Sequence, residues 1–106
     1  MSTPTFTRRT VPLLLTWDAP VPVNAFVLTA RPELAVYSTH PREYAVYHVP
    51  TGLRVSRTFG RSTAARLLAV RLAAALGAAD ISSTRPGETR RAFEAVPEAM
   101  ELLLAQ

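Results

Sequence analysis

Proline placement limits this chain more than any other feature. Seven of its nine prolines fall at or before position 50, at 4, 12, 20, 22, 32, 41 and 50, and none lies between 51 and 85. A proline ring fixes φ and removes a backbone donor, so the first half cannot form a long helix. Short strands divided by turns remain. Thr10–Asp18 alternates Val11, Leu13, Leu15 and Trp17 on one side until Asp18-Ala-Pro-Val-Pro22 breaks the pattern. Asn24–Ala30, Leu34–Ser38, Glu43–Val49 and Leu53–Phe59 read as further strands. Pro50-Thr51-Gly52 between the last two has the chemistry of a type I turn with a bulge, which closes a tight hairpin.

Beyond Gly60 the period changes. Arg61–Leu76 has no proline or internal glycine and holds six alanines. Ser62 or Thr63 is placed to cap it and Gly77 to end it, so a helix is expected over 61–76. Asp80–Gly87 reads as a loop. Residues 88–105 repeat apolar side chains at Phe93, Val96, Met100 and Leu103, and Pro97 should kink this helix or split it in two. Strands first and helices after is the order of segregated layers. The expected fold is therefore a single α+β domain over 1–106. An antiparallel β-meander of four to five strands (10–59) precedes two helices, 61–76 and 88–105, packed on one face, with 1–9 a flexible lead.

Turn chemistry then sets a register. Pairing Val49 with Leu53 and Ser38 with Glu43 places Leu34, Val36, Ala45, Tyr47, Val49, Leu53, Val55 and Phe59 on one face, the expected core under helix 61–76. The opposite face receives Tyr37 beside Tyr44, and His48 beside Arg54 with Glu33 near. Phe26 extends the tyrosine row and Arg42 stands at its rim. An aromatic row edged by arginine is how sheets stack unpaired bases. The competing reading has Thr10–Asp18 and Trp17 fold over that face as a second core. Helix 61–76 is apolar nearly all round, so Leu67, Val70 and Ala74 are expected to be buried on a second flank by the C-terminal helix or a second chain.

Charge and missing motifs narrow function. All twelve basic residues are arginines, against eight acids, for a net charge of +4. Residues 1–85 carry ten of the arginines and four of the acids, which suits a polyanionic partner. Arg42, Arg54, Arg57, Arg61, Arg66 and Arg71 are the phosphate-contact candidates. Along the helix, however, Arg61, Arg66 and Arg71 are spread by roughly 140° steps and form no groove-reading stripe. The lack of cysteine removes thiol and disulfide chemistry, and two histidines eight positions apart argue against a protein-built transition-metal site. No glycine-rich phosphate loop or nucleophile elbow occurs. A Glu33–His48–Arg54 cluster has no nucleophile beside it.

No apolar run approaches the ~18 residues of a membrane span, and the short Val11–Leu15 patch after Met1–Arg9 is not a signal peptide. The expectation is a cytoplasmic, cofactor-free, non-enzymatic binding protein. Its partner would be nucleic acid or a nucleic-acid-handling complex, met through Tyr37, Tyr44, Arg54, His48, Arg42 and Phe26. The alternative is a protein-interaction module, such as a phage- or mobile-element-type inhibitor or adaptor. A homodimer through helix 61–76 or the open sheet face is compatible with either.

Overall fold

The computed structural model describes residues 3–16 and 18–105. Five strands, β1 (Phe6–Leu13), β2 (Val21–Leu28), β3 (Leu34–His40), β4 (Glu43–His48) and β5 (Leu53–Arg54), form one antiparallel meander in chain order. Helices α1 (Ser62–Leu76), α2 (Pro86–Glu94) and α3 (Pro97–Leu104) follow. This is the α+β order read from the prolines. The C-terminal helix is split: Val96 is extended and Pro97 opens a new helix, where its missing N–H is harmless. Gly77 ends α1 at φ 54°, its N–H bonding the Ala73 carbonyl. The expected Ser62 or Thr63 cap is not used; Arg61 is the capping residue and no side chain caps the helix.

β1 is displaced from its expected span. It begins at Phe6, so residues 6–9 of the expected flexible lead are strand, paired Phe6↔Leu28 through Arg9↔Ala25. It ends at Leu13, which pairs with Val21. Trp17 lies outside the described residues. Pro12 is tolerated because β1 is an edge strand.

Both expected hairpin registers are one residue out. β3 and β4 pair Leu34↔His48, Val36↔Val46, Tyr37↔Ala45 and Ser38↔Tyr44, with a bulge between Ser38 and His40 before His40↔Glu43. The turn is tighter than expected because Arg42 adopts φ 64°, a conformation disfavoured for any side-chain-bearing residue. β4 and β5 pair Tyr47↔Arg54 and His48↔Leu53. The first slip inverts β4 and the second restores β5. Leu34, Val36, Val55 and Phe59 therefore stay on the helix side, joined by Tyr44 and Val46 instead of Ala45 and Tyr47. Tyr37 and Tyr44 are not neighbours on one face.

The other face is a second core. Val11, Leu13, Ala25, Val27, Ala35, Ala45 and Tyr47 are buried together there. Alanines on β2, β3 and β4 let the sheet curl, and the Leu14 N–H reaches the Gly52 carbonyl in the β4–β5 turn at 2.7 Å. That bond joins the chain just past one edge strand to the turn that leads into the other. A second core thus forms on this face, as the competing reading expected, but β1 contributes Val11 and Leu13 to it as an edge strand of the sheet itself. The seven side chains of this core are buried within the chain itself, so the middle of the face is not an open stacking platform.

Over the helix side, α1 buries Ala65, Leu68, Ala69, Leu72 and Leu76. Phe93 and Ala99 join this core, with Val96, Met100 and Leu103 partly buried. The expected second buried flank of α1 does not form. Leu67 is 50% exposed, Ala74 is exposed and Val70 half-buried. α3 approaches on the side of Ala75, where Leu102 borders a shallow groove, and stops short of Leu67. Leu67→Ala should therefore change stability by no more than about 0.5 kcal/mol. Leu72→Ala, at a fully buried position, should cost about 2–5 kcal/mol in urea unfolding. Equal losses for the two would contradict this packing.

Candidate functional site

The six side chains expected to share a surface are dispersed. Tyr37 lies on the second face, edge-on to Tyr47 with ring centroids 6.1 Å apart. Arg54 is exposed and sits opposite Tyr47 on that same face. Burial pushes the Tyr47 hydroxyl pKa up, and the Arg54 charge works against it. Arg42 is exposed in the β3–β4 turn. Phe26, Tyr44 and His48 are on the helix side. Of the six, only Phe26, Tyr37 and Tyr44 line a common cleft.

His48 is structural. It is fully buried, with Nε2 donating to the Ile81 carbonyl at 2.5 Å and Nδ1 accepting from the Thr51 hydroxyl at 2.8 Å. Its ring meets Phe93 edge-on at 6.4 Å. β4 thus fastens the loop between α1 and α2, where Ile81 is also fully buried and Arg31 donates to the Ala79 carbonyl. Desolvation lowers the His48 pKa, opposed by the Ile81 hydrogen bond and the Glu33 charge. Glu33, His48 and Arg54 do not form one cluster: Glu33 is near enough to act on His48 but pairs with Arg31 at 3.8 Å, and Arg54 is on the opposite face.

An arrangement the sequence reading missed lies on the helix side. Arg66 of α1 holds its guanidinium 4.5 Å from the Phe26 ring centroid and 5.4 Å from that of Phe6. Arg8, the cross-strand partner of Phe26, lies 6.0 Å from the same ring. Arg57 covers Phe59 at 4.6 Å, and Phe59 is bridged to Tyr44 by two backbone hydrogen bonds. These rings and cations line one side of the sheet from β1 to the chain entering α1. Arg8 and Arg66 take no part in the ion pairs among the described residues, which join Arg31 to Glu33, Arg85 to Glu88 and Arg90 to Glu94. The first turn of α1 holds no acidic residue, so its positive dipole end adds to the field. The signal available beforehand was Phe6 and Arg8 in the amino-terminal segment, set aside there as flexible.

Beside this strip a cleft of about 230 Å³ is lined by Asn24, Phe26, Val36, Tyr37, Ser38 and Tyr44. A larger groove of about 490 Å³ runs between β5 and the α2–α3 pair. Among the described residues no group of three or more potential metal ligands occurs, and no helix is long and apolar enough to cross a membrane. The chain matches no family model, no curated protein and no solved structure.

Proposed function

We propose that the protein is a non-enzymatic binding protein that holds unpaired nucleic acid along the helix side of its sheet. The observation that carries this reading is the set of guanidinium–ring contacts of Arg8, Arg57 and Arg66 with Phe6, Phe26 and Phe59. Guanidinium groups bind phosphate as a planar fork, and aromatic and guanidinium faces stack bases. The charge distribution agrees. Residues 1–77 carry nine arginines and three acids, whereas Glu88, Glu94, Glu98 and Glu101 belong to the two C-terminal helices. These helices also carry Arg90 and Arg91, so they hold a net −2 against +6 for residues 1–77, and the excess positive charge favours a polyanion.

The test is fluorescence anisotropy with a labelled single-stranded oligonucleotide across a salt series. The logarithm of affinity should fall linearly with the logarithm of salt, by about 0.7 for each phosphate neutralised. Arg8→Ala, at an exposed position, should weaken binding and flatten that slope by about one contact. A protein-docking reading is favoured instead by the β5–α2–α3 groove, where Leu53, Val55, Phe93 and Met100 are flanked by Arg54 and Arg90. Absence of oligonucleotide binding at about 50 mM salt would leave docking as the better account.

A further inference from the structure

We infer that the cleft bracketed by Phe26 and Tyr44 takes one unstacked nucleobase; this rests on the nucleic-acid reading above. Its lining comes from three adjacent strands: Asn24 and Phe26 from β2, Val36 to Ser38 from β3, and Tyr44 from β4. The registers Phe26↔Val36 and Ser38↔Tyr44 put the two rings on a diagonal across β3, with Val36 between them. At about 230 Å³ the cleft lies below the roughly 300–1,000 Å³ that houses a drug-sized ligand, and suits a single planar ring.

Its polar groups are already oriented. The Asn24 carboxamide oxygen accepts from the Thr10 hydroxyl at 2.9 Å, which turns the amide N–H donors toward other partners. The Ser38 hydroxyl donates to the His40 carbonyl, which leaves its lone pairs to accept. Every base presents donors and acceptors side by side on its pairing edge, so this pair of groups holds a base without selecting one. Tyr44 is fixed from behind by its two backbone bonds to Phe59, at 2.9 and 2.7 Å. Arg8 and Arg66, both against Phe26, stand where the phosphates flanking an inserted base would lie. The site is therefore a stacking slot with adjacent cations, tolerant of sequence.

The experiment compares a labelled thymidine oligomer of about 12 nucleotides with an abasic oligomer of equal length at about 50 mM salt. Wild type should bind the base-bearing strand tenfold or more tightly, as stacking of one base on an aromatic ring predicts. Tyr44→Leu should bring its affinity down to the abasic level and leave abasic binding unchanged. Asn24→Ala, at an exposed position, should weaken only the base-bearing strand, by several-fold. Equal wild-type binding of both oligomers would overturn the slot and leave the phosphate contacts standing. A base preference that survives both substitutions would also overturn it, by placing the stacking elsewhere. Binding of neither oligomer would overturn the slot together with the nucleic-acid reading.

Discussion

His48→Ala should lower the unfolding free energy by about 3–5 kcal/mol in urea titration, among the largest losses from any single side chain here. The substitution opens a cavity against Phe93. It also leaves the Ile81 carbonyl, which accepts from Nε2, without a donor in a region sealed from water. The loop between α1 and α2 should become the preferred site of proteolytic cleavage in the variant. A loss under about 1 kcal/mol would mean that Ile81 and Arg31 hold the loop without the imidazole.

The same burial gives wild type an acid-side pH dependence. The folded pKa of His48 is lowered from its ordinary 6.5, chiefly by desolvation. Above that ordinary value both folded and unfolded chains carry a neutral ring, and its full contribution is present. As pH falls below 6.5, the unfolded chain binds a proton that the folded chain refuses, so stability declines until the folded pKa is passed. The slope reaches at most about 1.4 kcal/mol per pH unit. Subtracting the profile of His48→Gln from that of wild type should isolate this slope; a flat difference would contradict it.

Gly52→Ala should cost about 2–4 kcal/mol. Gly52 sits at φ +75°, and a Cβ there would lie 2.9 Å from the Leu14 amide nitrogen, backbone against backbone. Neither group can swing aside as a side chain would. The contact at risk is the Leu14–Gly52 hydrogen bond that curls the sheet, so the Leu14 amide should exchange quickly in the variant. Gly60→Ala provides the comparison: its Cβ would meet open space, and it should stay within about 0.5 kcal/mol of wild type. Similar losses at both positions would show that the curl depends on something other than this turn.

The order of elements was legible in the sequence because it follows from backbone chemistry that acts locally. Prolines excluded helix from the first half, the proline-free alanine run required one after Gly60, Gly77 ended it, and Pro97 divided what followed. Which way β4 faces was not legible. Glu43–Val49 is apolar or aromatic on both alternations: Ala45 and Tyr47 on one, Tyr44, Val46 and His48 on the other. With a core on each side of the sheet, hydrophobic pattern cannot choose between two registers one residue apart. The choice was made by a bulge after Ser38 and by Arg42 at φ 64°, an arginine in a conformation that residue type does not announce. The arginine–aromatic strip has the same origin. Phe6, Phe26 and Arg66 are far apart along the chain, and no local rule links them. They meet because the β1–β2 ladder runs back to Phe6 and α1 lies across it, an arrangement fixed by burial on both faces at once.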